Sequence, residues 1–145
     1  MTMQAAAFQQ YIHTLALPEE GLRYIRSVRE GPPARRVQSS TLANCCYHCV
    51  SHRMGFTIMA ESHIEHRFIL KCELHQDNVL EYWDQPCEVP ITGCDRRGRR
   101  YCSTYTADFL IFTPSKVVAI ETKPYAKCPP RMGRREWPNA ARRRG

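Results

Sequence analysis

Two extended runs joined by a short turn constrain this chain more than any other feature. Tyr101 to Phe112 is rich in Tyr, Thr, Phe, Leu and Ile, residue types that suit a pleated, half-buried surface. Thr113-Pro114-Ser115 turns the chain, and Lys116 to Lys123 carries the apolar run Val117-Val118-Ala119-Ile120, the pattern of a strand covered on both faces. So short a turn makes the two strands antiparallel neighbours. Residues two apart on a strand share a face, so Glu121 and Lys123 are predicted to point the same way from the end of a buried strand. The hairpin can also bring Asp108 up to Glu121. Charged side chains in such a place are costly unless they bind something, and a divalent cation relieves the repulsion between two crowded carboxylates.

The preceding chain supplies helices to pack on such strands. Phe8, Ile12 and Leu15 fall at helical spacing within residues 3–15. Pro18-Glu19-Glu20 is a favourable start for a second helix, with proline in the first turn and two acids at the positive end of the dipole. It runs to about Arg29 and stops at Gly31-Pro32-Pro33. Residues 34–58 are less regular, with a short strand expected around Met54 to Ile58. From Glu61 to Leu74, Ile64, Phe68 and Cys72 recur every four residues, with Ile69 beside them. This predicts a third helix with Glu61 and Glu65 one turn apart at the edge of its apolar stripe. Leu80 to Ile91 reads as extended, bent at Gln85-Pro86, and Asp95-Arg96-Arg97-Gly98 as a hairpin turn. The expectation is a mixed α/β architecture: a central sheet flanked by helices, with an N-terminal helical segment (1–33), a core (34–125) and a C-terminal tail (126–145).

Charge is distributed unevenly. Lys127, Arg131, Arg134, Arg135, Arg142, Arg143 and Arg144 stand against the single acid Glu136, so the tail carries a net +6 of the chain's +7. Such a tail attracts polyanions, nucleic acid first among them, or simply solubilises the chain end. In the body, Arg35, Arg36, Arg96, Arg97, Arg99 and Arg100 are the candidate phosphate contacts. No apolar run reaches the roughly 18 residues that a membrane span needs, and no basic-then-apolar leader opens the sequence, so a cytoplasmic location is expected. Reducing conditions there would leave the eight cysteines as thiols, either packed or metal-bound. Cys45-Cys46-Tyr47-His48-Cys49 with His52 lacks the second spaced pair of a zinc site; packed or idle thiols are the simpler reading. Cys94 and Cys102 could face one another across the arginine hairpin. His63 and His66 read as helix-surface residues, and Tyr82 and Trp83 as packing.

The chemistry that suits Asp108, Glu121 and Lys123 is phosphodiester hydrolysis. One or two Mg²⁺ ions, for which Mn²⁺ can substitute, would be held by the carboxylates and by the Thr122 backbone carbonyl, activating water and neutralising the leaving oxygen. Lysine can orient the water or stabilise charge on phosphorus. A further carboxylate from a packed helix, Glu65 or Glu61, would complete the metal shell.

Several motifs in order resemble the TnsA endonuclease family, the PD-(D/E)xK nuclease subunit of certain heteromeric transposases. They are Leu17-Pro18-Glu19-Glu20-Gly21 with Tyr24-Ile25, Ala34-Arg35-Arg36-Val37, Arg53 to Ile58, Glu61-Ser62-His63-Ile64-Glu65, Asp77 to Pro86, Thr106-Ala107-Asp108-Phe109 and Glu121-Thr122-Lys123-Pro124. The resemblance covers roughly residues 17–124. It implies a restriction-endonuclease-like fold in a bacterial, nucleoid-associated protein. It further implies metal-dependent cleavage of double-stranded DNA at the 5′ strand ends of a transposon, beside a DDE-type transposase subunit that cuts and joins the 3′ ends. It also implies that Asp108 and Glu121 are metal ligands, that Lys123 is the catalytic lysine, and that Glu65, eight residues before Glu73, is the helix acid, with Glu61 the alternative. No helix-turn-helix pattern is legible, so a partner would choose the DNA site. The competing expectations are a non-catalytic DNA-binding or assembly subunit and a restriction-like or junction-resolving nuclease acting alone.

Overall fold

A computed structural model of the chain describes residues 1–32, 46–75 and 78–124. Three helices precede or interrupt seven strands: α1 (Ala5–Thr14), α2 (Glu19–Glu30), β1 (Tyr47–Val50), β2 (Thr57–Ala60), α3 (His63–Leu74), β3 (Glu81–Asp84), β4 (Val89–Cys94), β5 (Arg100–Tyr105), β6 (Phe109–Phe112) and β7 (Val117–Ile120). The fold is mixed α/β, and its strands pair antiparallel in three small sheets: β1-β2, β3-β6-β7 and β4-β5. A single central sheet was expected. One seam is bridged by a side chain instead of a ladder, for the Met59 amide of β2 donates to Asp84 Oδ2 of β3 at 3.3 Å.

β6 organises the core. All four of its residues are buried, because successive side chains point to opposite faces and both faces are covered. Phe109 and Ile111 pack with Ile58, Ile69 and Tyr82, on the side of α3 and β2. Leu110 and Phe112 pack with Phe8, Ile12, Ile25 and Val28, on the side of α1 and α2. The doubly covered strand expected at 117–120 is therefore β6. β7 lies at the sheet edge with Ala119 exposed, having a neighbour on one side only. The single strand expected over 101–112 divides into β5 and β6 at Thr106–Asp108.

Helix starts follow local chemistry. Ser62 caps α3: its hydroxyl accepts from the Glu65 amide at 3.2 Å and donates to Glu65 Oε1 at 2.8 Å, while Glu65 Oε2 accepts from the Glu61 amide at 2.8 Å. This reciprocal arrangement satisfies amides that the first turn leaves without partners. It begins the helix at His63, so Glu61 lies before the helix rather than one turn along it.

A buried ion pair ties the helical segment to the sheet. Glu81, with 0% of its side chain exposed, receives Arg29 Nε and Nη2 at 2.9 Å each, the Met3 amide at 2.6 Å and Trp83 Nε1 at 3.0 Å. Arg29 also donates to the Met3 carbonyl at 2.7 Å and lies over the Phe8 ring. At the far end of α3, Glu73 accepts from the Ser51 and Tyr82 hydroxyls at 2.6 and 2.7 Å and from the His52 and Arg53 amides. No helix among the described residues is long and apolar enough to cross a membrane.

Candidate functional site

The C-terminal ends of β3 and β7 and the start of β6 lie at one edge of the three-stranded sheet, because both pairings are antiparallel. That edge gathers acids. Phe109 pairs with Ile120 at the end of the ladder, and Asp108 and Glu121 are the next residues out on the two chain segments. The two carboxylates, expected from the sequence to meet, thus stand on neighbouring chain segments at the same end of the sheet.

Local bonds fix each of them. The Gln85 amide donates to the Asp108 carbonyl at 3.0 Å, holding the Asp108 backbone against the end of β3. Asp108 Oδ2 accepts from the Thr122 amide at 2.6 Å and the Thr122 hydroxyl at 2.8 Å; among the described residues, no hydrogen bond falls on Oδ1. Glu121 Oε2 accepts from the Tyr105 hydroxyl at 2.7 Å, and Lys123 Nζ lies 3.5 Å from Glu121 Oε1. The hydrogen bond to Glu121, then burial, then the charges of Glu121 and Asp108 push the Tyr105 phenol up to about 12. Tyr105 thus feels both carboxylates. It also joins the β4-β5 ribbon to the site, and no signal in the sequence had singled it out.

Glu65 is placed differently. Its carboxylate is occupied by the cap of α3, and its described electrostatic neighbour is Asp84. Pleat phase accounts for this. Asp84 pairs with Phe109, whose ring packs on Phe68 of α3 with centroids 4.8 Å apart, so Asp84 stands on the α3 side of the sheet. Burial pushes the Asp84 carboxyl up; the Met59 amide opposes the shift and the Glu65 charge adds to it. Asp84 was missed from sequence because an acid ending a strand looks like a surface residue until the neighbouring strand and helix cover it. This end of the sheet therefore gathers Asp84, Asp108 and Glu121, with the Glu65 charge felt at Asp84. Among the described residues no three His, Cys, Asp or Glu side chains come together to hold a metal ion.

The arginine candidates divide. Arg96, Arg97, Arg99 and Arg100 stand at the tip of the β4-β5 ribbon, every residue of β5 being exposed. Asp95 builds the turn: its carboxylate accepts from the Arg97 and Arg99 amides at 2.8 and 2.9 Å, and Gly98 takes φ +76°, a value that favours glycine. Arg35, Arg36, Cys45, Asp77 and the tail beyond Pro124 lie outside the described residues. In the cysteine–histidine stretch, Cys46, Tyr47 and Cys49 are half-buried while His48 is exposed. Burial raises the Cys49 thiol. The Tyr47 hydroxyl meets His63 at 2.7 Å, and its ring stacks on His66 at 4.5 Å. Cys94 pairs with Arg100 and Cys102 with Thr92, so the two cysteines lie diagonally and both are free thiols.

No protein-family model matches the chain, and no curated protein sequence matches it.

Proposed function

We propose that the chain is a metal-dependent DNA endonuclease of the restriction-enzyme-like PD-(D/E)xK class. It would cut phosphodiester bonds at the 5′ strand ends of a transposon beside a DDE-type transposase subunit. What supports the reading is that the Phe109–Ile120 pair ends its ladder with Asp108 and Glu121 as the next residues out, Asp108 bonded to Thr122 and Lys123 3.5 Å from Glu121.

The donor set suits Mg²⁺. That ion prefers hard oxygen ligands, keeps several waters and is usually bound through only one or two carboxylates plus substrate phosphate. Asp108 through Oδ1, Glu121 and the Thr122 carbonyl would hold it. When bound, the ion supplies an activated water and neutralises charge on the leaving oxygen. Thr122 orients Asp108 by its two hydrogen bonds, which leaves one carboxylate oxygen directed elsewhere. Lys123, with 54% of its side chain exposed, can reach a scissile phosphate and stabilise negative charge developing on it. Tyr105 holds Glu121 in place, and the arginine tip of its ribbon offers backbone-phosphate contacts.

A second reading is a non-catalytic DNA-binding or assembly subunit. It is favoured by the use of Glu65 in the helix cap and by Lys123 and Tyr105 together occupying both oxygens of Glu121.

Plasmid nicking in Mg²⁺ decides between them. The wild-type chain, alone or with a transposase partner and transposon-end DNA, is expected to nick, and Asp108→Ala and Lys123→Ala to lose at least about a hundredfold in rate, the scale of removing one transition-state contact. Equal nicking by wild type and Asp108→Ala, or none by either, would remove the enzyme reading.

A further inference from the structure

Beside the acidic edge lies a groove of about 900 Å³ between α3 and residues 120–124. Its floor is half-buried Ile64 and Phe68, and its walls carry Arg67, Lys71 and Lys123 against the single acid Glu121. Arg67 and Lys71 are four residues apart on α3, so they share one face about 6 Å apart along the axis. Both are exposed, and among the described residues neither has an ion-pair partner. Two cations aligned along an apolar-floored channel fit an occupant with regularly spaced negative charge.

We propose that this groove is the track of a nucleic-acid strand, with Arg67 and Lys71 as contacts to successive backbone phosphates flanking the one presented to Lys123. A rise of roughly 3.4 Å per nucleotide lets one helical turn span one to two phosphates. The half-buried apolar floor offers a surface for sugar or base faces. The inference deepens the nuclease reading by naming the path of its substrate, yet it concerns binding and stands or falls apart from cleavage.

The test is fluorescence anisotropy of the full chain with labelled 20-mer DNA in EDTA, where no metal-dependent cut can occur. Wild type, Arg67→Ala/Lys71→Ala and a charge-matched control, Arg23→Ala/Lys116→Ala, are compared from 50 to 200 mM salt. Circular dichroism melts show that each variant is folded. Loss of two phosphate contacts is expected to flatten the slope of log affinity against log salt by about 1.8 for duplex or about 1.4 for single-stranded DNA. Over that fourfold salt range wild type would lose roughly twelve times more duplex affinity than the groove variant, while the control keeps nearly the wild-type slope. An equal flattening in the control would reduce the effect to net charge and overturn the proposal. So would absence of DNA binding by wild type, or displacement of the DNA by an equal charge of polyglutamate, which would assign the groove to an acidic peptide. Failure to nick plasmid with this salt signature intact would sink the nuclease reading and leave the track standing.

Discussion

Replacing Arg29 with methionine tests the largest energetic claim made for this fold. The substitution keeps most of the side-chain volume over Phe8 but removes both hydrogen bonds to Glu81 and the bond to the Met3 carbonyl. Glu81 stays behind, fully enclosed, with only the Met3 amide and Trp83 Nε1 as donors. Breaking a buried pair by deleting one partner costs about 3–5 kcal/mol. The lower end applies here, because 14% of the Arg29 side chain is exposed and water can partly replace it. Native chains have only about 5–15 kcal/mol in total, so about 3 kcal/mol is a large share. For a chain of this size it corresponds to a fall in Tm of roughly 10–15 °C. Urea denaturation followed by the fluorescence of Trp83, which is bonded to Glu81, measures it. Pairing the change with Glu81→Gln removes the stranded charge while keeping one carbonyl oxygen, which can accept from either the Met3 amide or Trp83 Nε1, the two being bonded to different oxygens of Glu81. The double variant should recover more than half of the loss, with a coupling of at least about 1.5 kcal/mol. A single-variant cost below about 1 kcal/mol, or simple additivity of the two changes, would refute the argument that this pair clamps the helices to the sheet.

Two further substitutions separate carboxylates that stabilise from one that does not. Burial pushes the Glu73 carboxyl up, but the hydrogen bonds from Ser51, Tyr82, Arg53 and His52 outweigh it and hold the group below its ordinary 4.5. A depressed acid contributes stability above its unfolded value and loses it as pH falls through the folded one. Glu73→Gln should therefore cost about 1–2 kcal/mol at pH 7, the gap from wild type narrowing as pH drops below 4.5 in thermal melts; a gap independent of pH would contradict this. Asp84 has the opposite sign, its carboxyl being raised above the ordinary 3.8, first by burial. Stability linked to it is present below the unfolded value and lost as pH rises through the folded one. Asp84→Asn, which can still accept from the Met59 amide, should raise Tm by a few degrees at pH 7 and converge with wild type well below pH 3.8; a lower Tm at pH 7 would refute the assignment.

Element types were readable where one local pattern dominated. Phe8 and Ile12 marked α1, Pro18-Glu19-Glu20 marked the start of α2, and Asp95 to Gly98 marked the ribbon turn; all three appear in the structure. Coverage of strands was not readable. Phe109 to Phe112 and Val117 to Ile120 are both short apolar runs, and only pairing order decides that β6 is central and β7 peripheral. β1 was hidden among cysteines and histidines because its burial comes from pairing with β2 rather than from its composition. The antiparallel pairing of β6 with β7, which brings Asp108 and Glu121 to the same end of the sheet, was legible because it depends on one short turn. The position of Glu65 was not, because it depends on pleat phase across two elements and on a cap that claims the carboxylate.

The buried and half-buried acids can be sorted by what satisfies them, and this separates structure from function better than burial does. Glu81 and Glu73 each collect at least four donors from the protein itself; neither needs a ligand, and substituting either should be felt in stability. Asp108 receives two donors, both from Thr122 and both on one oxygen. Asp84 has a single described side-chain bond, at 3.3 Å. Glu121 is met by a phenol and by a half-exposed lysine at 3.5 Å, contacts that an incoming cation or phosphate can displace at little cost. These three less satisfied acids lie at the same edge of one sheet. They lie beside a groove walled by lysine and arginine, and under the proposed function it is they, not Glu81 or Glu73, whose substitution should be felt in DNA cleavage before stability.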